Sequence, residues 1–136
     1  MRCEISVCTS NILFLAKENI MFIQLKHKSL NAYHAISELV KDTYKTSLLL
    51  PSEEKFNMVQ QIRRAAVSVK LNFAEGCTRR SFQERKRFFE IARGSVVEID
   101  TVLETAVDLD YFKKESLENL GKILNHCFAM LSRMIN

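Results

Sequence analysis

The chain has 136 residues, of which 47% are hydrophobic and 26% charged, with a formal net charge of +4. A chain of this length fits one domain and buries roughly two-thirds of the surface its unfolded state exposes, so its core needs neither metal nor disulfide. Three glycines and one proline leave too few turn signals for an all-β fold, and the composition points to an all-helical protein.

Residues 1–20 hold a short apolar patch, Ile12 to Ala16, without helical periodicity. They are expected to form a poorly ordered N-terminal extension ahead of a helical domain at 21–136, with Met21 as a second candidate start. The first helix is expected from about Ser29 to Ser47, where Leu30, Tyr33, Ile36, Val40 and Tyr44 recur at three- and four-residue steps. Pro51 stops it, and Ser52 is placed to cap the next helix. That second helix, about Glu53 to Glu75, puts Phe56, Val59, Ile62, Ala66, Val69 and Phe73 on one stripe. Gly76 follows as a candidate left-handed C-terminal cap.

Ser81 and Glu84 have the S-x-x-E spacing of a capping box and open a third helix. Its stripe of Phe88, Ala92, Ser95, Ile99, Val102, Ala106 and Leu109 runs to about Asp110, some ~40 Å at 1.5 Å per residue. A fourth stripe, Leu117, Leu120, Leu124, Cys127, Leu131 and Ile135, completes the set. Four amphipathic helices with short connections predict an antiparallel up-down-up-down four-helix bundle, because connections of a few residues place consecutive helices side by side.

The apolar arc of the second helix is wider than the ~100° stripe of an ordinary surface helix. The expected use of the excess is a subunit interface built on Phe56, Val59, Arg63, Val67, Lys70 and Ala74, the two cations covering apolar surface with their stems. The opposite stripe of Gln61, Arg64, Ser68, Asn72 and Glu75 reads as a solvated face, or else as a hydrogen-bonding strip for RNA or a partner.

Charge is unevenly placed. Residues 60–93 carry nine basic side chains against three acidic ones, while residues 94–136 carry four against seven. Three readings fit this cluster: a solvated surface, pairing with carboxylates, or binding of a polyanion whose affinity falls steeply with salt. Arg63, Arg64, Lys70, Arg79, Arg80, Arg85, Lys86 and Arg87 are the candidate nucleic-acid-binding residues. Thr78 to Ser81 precede a helix start, where free amides favour phosphate. No base-reading motif is present.

Catalysis finds little footing. Gly-rich phosphate loops, HExxH and GxSxG are missing, and His126 has no arginine shortly before it. The four cysteines show no CxxC spacing and no histidine cluster, so no metal or other cofactor is expected. Lacking an apolar run near ~20 residues or a secretory signal, the chain is read as cytoplasmic, thiol-reduced and without a membrane partner.

The run Gln61-Ile62-Arg63-Arg64-Ala65-Ala66-Val67-Ser68-Val69, with Asn72-Phe73-Ala74-Glu75-Gly76, resembles the signature of the 23S rRNA intervening-sequence proteins, a four-helix-bundle family. Arg79-Arg80-Ser81, Phe88-Phe89-x-Ile91-Ala92 and Gly94-Ser95-x-x-Glu98 continue the likeness, which covers about residues 22–136. Many relatives carry a tryptophan at the start of the first helix, and this chain has none. The resemblance implies a cyclic homopentamer with a positive surface, and Arg63, Arg64, Arg79 and Arg80 match its basic positions. A related branch, the accessory variability determinant of diversity-generating retroelements, binds a reverse transcriptase and nucleic acid. The expected function is therefore non-enzymatic binding of structured RNA, ribosomal RNA included, or of DNA, by a homo-oligomer. The alternative is a protein-interaction scaffold serving a nucleic-acid enzyme.

Overall fold

The computed structural model describes residues 22–136, and the expected extension at 1–20 lies outside them. Four helices follow in order: α1 (Asn31–Ser47), α2 (Met58–Thr78), α3 (Phe82–Asp108) and α4 (Glu118–Ile135), with single 3-10 turns at Lys26–Ser29, Ser52–Glu54 and Lys114–Leu117. No strand occurs among the described residues. Each helix packs on two others in a closed ring, α1 on α2, α2 on α3, α3 on α4, and α4 on α1.

Paired contacts give the directions. Arg63 meets Ser47 while Lys70 meets Tyr33, so α2 runs against α1. Ser68 meets Ser95 while Phe73 meets Phe89, so α3 runs against α2. On α4, Phe128 and Leu124 share one cavity with Val96 and Asp100 of α3. Met134 ends α4 beside His27 and Leu30, where α1 begins. This is the antiparallel up-down-up-down bundle that the short connections require.

One continuous core runs from Ile36 and Leu39 through Ile62, Val69 and Phe73 to Phe89, Ile99, Leu124 and Leu131. Several faces are turned relative to the expected stripes. On α1 the buried positions are Ile36, Leu39, Thr43 and Ser47. Tyr33 and Tyr44 stand at the flanks, where an apolar ring can pack while the hydroxyl reaches water. On α3 the seam is Phe89, Val96 and Leu103, and the expected Phe88 and Val102 are only half-buried. Leu109 lies past the end of α3, half-exposed. The reason is that α3 packs on both α2 and α4, so its buried arc is wider than one stripe.

The start of α2 also differs. Ser52 opens a 3-10 turn and caps no helix. The Glu54 carboxylate instead accepts from the Met58 amide (3.4 Å) and the Asn57 side chain (3.0 Å), placing negative charge at the positive end of the helix. The Tyr111 hydroxyl donates to the other Glu54 oxygen (3.1 Å), tying this start to the turn after α3.

Gly76 is not a left-handed cap. It lies inside α2 with negative φ, and the helix continues to Thr78. A Cβ there would stand 2.6 Å from Phe89 Cε1 and 3.1 Å from Phe88 Cβ. The glycine is needed for close approach of α3.

Candidate nucleic-acid interface

The connection between α2 and α3 consists of Arg79, Arg80 and Ser81, the first and last of them in extended conformation. Such a short link holds its cations on a stiff corner, because both flanking helices are locked by the contacts of Gly76, Phe73 and Phe89 below it. Ser81 Oγ accepts from the Glu84 amide (3.2 Å) and lies 3.1 Å from the Glu84 carboxylate. This is half of the expected capping box, since the carboxylate meets the hydroxyl instead of the Ser81 amide. It also means that the first turn of α3 is already supplied with an anion, so a phosphate here would be held by side-chain cations more than by free amides.

The eight candidate cations fall into three groups. Arg80, Arg85, Lys86 and Arg87 surround the corner and make no ion pair among the described residues. Arg79 shares that corner, with its guanidinium 2.9 Å from the Glu75 carboxylate and 4.9 Å from the Phe88 ring. Both partners of that pair are well exposed, and such pairs contribute about 0.2–1 kcal/mol, so Arg79 remains available to a competing phosphate. The third group lies along α2. The Arg63 guanidinium donates to Ser47 Oγ (2.8 Å) and covers Tyr44 at 4.9 Å, while the Lys70 ammonium stands 5.0 Å from the Tyr33 ring. These two cations are held across the α1–α2 seam. Arg64, exposed, borders a groove of about 540 Å³ with Arg63, Val67 and Leu71.

Folding adds cations that the local sequence did not bring forward. Lys26, from the turn before α1, lines a cavity of about 430 Å³ with Phe82 and Arg85. Lys28 follows in that turn, and Arg133 lies in the last turn of α4, next to Met134 of that cavity. Their signal was topological: in an up-down bundle the starts of α1 and α3 share one end with the finishes of α2 and α4. Burial pushes the Cys77 thiol up, and the nearby Arg85 charge opposes that shift. His126 stands exposed on α4, away from this end.

The expected interface residues divide in a similar way. Phe56 lies ahead of α2 and is 78% exposed, with the Lys55 ammonium 5.6 Å from its ring. Val59, Val67 and Ala74 are half-buried within the single chain. Met58, Ile62, Ala65, Ala66, Val69 and Phe73 are fully covered, because α1 and α3 flank α2 on two sides. The apolar surface left on α2 centres on Leu71, 61% exposed. The stripe opposite is partly internal: Ser95 Oγ donates to Ser68 Oγ (2.8 Å), and Asn72 Nδ2 donates to the same hydroxyl (3.0 Å). Among the described residues, no helix is long and apolar enough to cross a membrane.

A family model described as 23S rRNA-intervening sequence protein matches residues 28–133. No curated protein matches the chain. Among solved structures, a protein of unknown function from the S23 ribosomal protein family of Bacteroides thetaiotaomicron is similar, with a TM-score of 0.71 and 22% identity. The match covers 77% of this chain and 98% of that one, and at this identity it concerns the fold.

Proposed function

The chain belongs to the 23S rRNA-intervening sequence protein family, and from that premise we propose that it is a non-enzymatic protein binding structured RNA through the cationic end of its bundle. The observation that carries this reading is the corner between α2 and α3, where Arg80, Arg85, Lys86 and Arg87 are free of ion pairs among the described residues and Lys26 approaches from the turn before α1. Cations on a stiff frame bind phosphates at lower entropic cost than cations on a loose loop. Without base-reading motifs, recognition rests on backbone charge and shape.

Fluorescence anisotropy with a labelled RNA hairpin over a salt series tests it. Replacing Arg80 and Arg85 together by alanine should weaken binding on the order of tenfold and lower the slope of log K against log salt by about 2 units. No binding at about 50 mM salt, or an unchanged slope, would overturn the reading. RNA cleavage that disappears in His126→Ala would overturn its non-enzymatic part. A homo-oligomer joined along the outer face of α2, by Phe56, Val67 and Ala74, would gather several cationic ends. Being apolar, that contact should give a mass that does not depend on salt.

A further inference from the structure

The cationic end of the bundle also holds aromatic and apolar surface that phosphate binding leaves unused. Phe82 opens α3 two residues after Arg80 and is 55% exposed. Phe22, Phe56 and Phe128 are exposed too, but each has a cation 5.6 to 5.9 Å from its ring. Phe82 has neither a cation nor another ring against it among the described residues. Arg85 and Phe89 follow on the same face of α3, since steps of three and four residues bring side chains into line along a helix. That face fronts the cavity of about 430 Å³, whose other walls include Lys26 and His27 from the turn before α1, Leu30 at the start of α1 and Met134 of α4. Clefts that hold small organic groups span about 300–1,000 Å³.

His27 supplies a second observation. It is only 8% exposed, it is packed edge-on against Tyr33 and Phe73 with ring centroids 5.6 and 6.4 Å away, and it lines the cavity. Neither of its ring nitrogens has a hydrogen-bond partner among the described residues. A neutral imidazole presents one donor and one acceptor, and burying such groups unpaired costs stability. An acyl chain in the cavity would leave both unmet. The edge of a nucleobase carries matching groups, and its flat face suits a phenyl ring.

We propose that this cavity takes an unpaired nucleobase from an RNA loop or bulge, stacked on Phe82 with its edge toward His27, while Arg80, Arg85 and Lys26 hold the flanking phosphates. The proposal rests on the RNA reading above and deepens it, from a charged end to a site for one splayed base. A base inside a duplex cannot enter, because its two faces are already stacked on its neighbours. No particular base is required, since every base has a π-face.

Fluorescence anisotropy of the full chain with three labelled RNAs tests it: a stem-loop, the same stem-loop with abasic loop nucleotides, and a blunt duplex. The abasic loop keeps every phosphate and removes only bases. Stacking one base on an aromatic side chain is worth roughly five- to 150-fold in affinity. The parental protein should therefore bind the intact loop at least about fivefold more tightly than the abasic one, with the same salt slope, and more tightly than the duplex. Phe82→Ala should erase the preference for the intact loop, Phe82→Trp should keep it, and both should retain the parental slope because no phosphate contact is lost. His27→Phe keeps a ring and removes both nitrogens, and should weaken intact-loop binding roughly two- to tenfold while leaving the abasic loop unchanged. Equal affinity of the parental protein for intact and abasic loops, or a preference that survives Phe82→Ala, overturns the proposal, and salt-dependent binding would then still uphold the RNA reading. Intact-loop affinity unchanged in His27→Phe overturns the edge contact. If none of the three RNAs binds at about 50 mM salt, both readings fall.

Discussion

Gly76 offers a sharp test of how the α2–α3 corner is held. In an ordinary helix interior, replacing glycine by alanine stabilises by about 0.8–1 kcal/mol, because glycine loses more backbone freedom on folding. At Gly76 the new methyl would stand 2.6 Å from Phe89 Cε1 and 2.9 Å from its Cδ1. The ring has little room to retreat, being 5% exposed and tilted against Phe73 with centroids 6.0 Å apart. Overpacking of this kind costs about 1–3 kcal/mol. Gly76→Ala should therefore lose about 1 kcal/mol net, or some ~3–4 °C in melting temperature for a chain of this size. Gly94 and Gly121 provide controls within the same bundle, since a Cβ on either meets nothing within 4 Å. Alanine at those positions should stabilise by about 0.5–1 kcal/mol. Urea unfolding followed by far-ultraviolet circular dichroism reads all three. In a Phe89→Leu background most of the Gly76→Ala loss should vanish, a coupling of about 1 kcal/mol. Asparagine should be worse than alanine at 76, whereas a left-handed cap would accept it. Gly76→Ala as stable as Gly94→Ala, or Gly76→Asn more stable than Gly76→Ala, would refute the packing argument.

Thr43 is fully buried, and its hydroxyl has no hydrogen-bond partner among the described residues, so Thr43→Val should stabilise by about 1 kcal/mol in the same urea assay. A loss of stability would mean that the hydroxyl is satisfied in solution. His27 is buried against Tyr33 and Phe73, and burial, helped by the Lys28 charge, holds its imidazole below the ordinary 6.5. The unfolded chain then binds a proton that the folded chain resists, so His27 adds no pH dependence above 6.5 and lowers stability as pH falls below it. Melting temperatures from about pH 7.5 to 5.5 should decline less in His27→Gln than in the parent, and equal slopes would exclude this role. Burial pushes the Cys127 thiol up to about 11. After alkylation at about pH 8, peptide mapping should find Cys127 unmodified in the folded protein and modified in urea; modification in the folded state would show that α4 opens.

Much of the bundle was legible because helix periodicity is a local property. On α4, Leu120, Leu124, Cys127, Leu131 and Ile135 were expected inside and are buried. Faces with polar members were harder to read. Thr43 and Ser47 belong to the core of α1, yet their side chains resemble those of a solvated stripe, and the flanking tyrosines drew the reading sideways. Arg63 and Lys70 were expected to cover the apolar surface of a subunit interface with their stems, whereas the structure sets their charged ends against the Tyr44 and Tyr33 rings of α1 in the same chain. Which rings they would cover was not visible, because those rings lie outside α2. Phe56 fitted the stripe of a helix that in fact begins two residues later, after the Glu54 cap.

By itself the chain determined four helices, their approximate limits and a block of positive charge around residues 79–87, since these depend on residues within a few turns of one another. Tertiary structure alone decided that Gly76 serves a close helix contact, that Lys26 and Arg133 share an end with Arg80 and Arg85, and that the carboxylates of α3 and α4 gather around a groove at the other. The physical reason is that periodicity orients a helix about its own axis, whereas its neighbours and its direction depend on contacts between residues far apart in the chain.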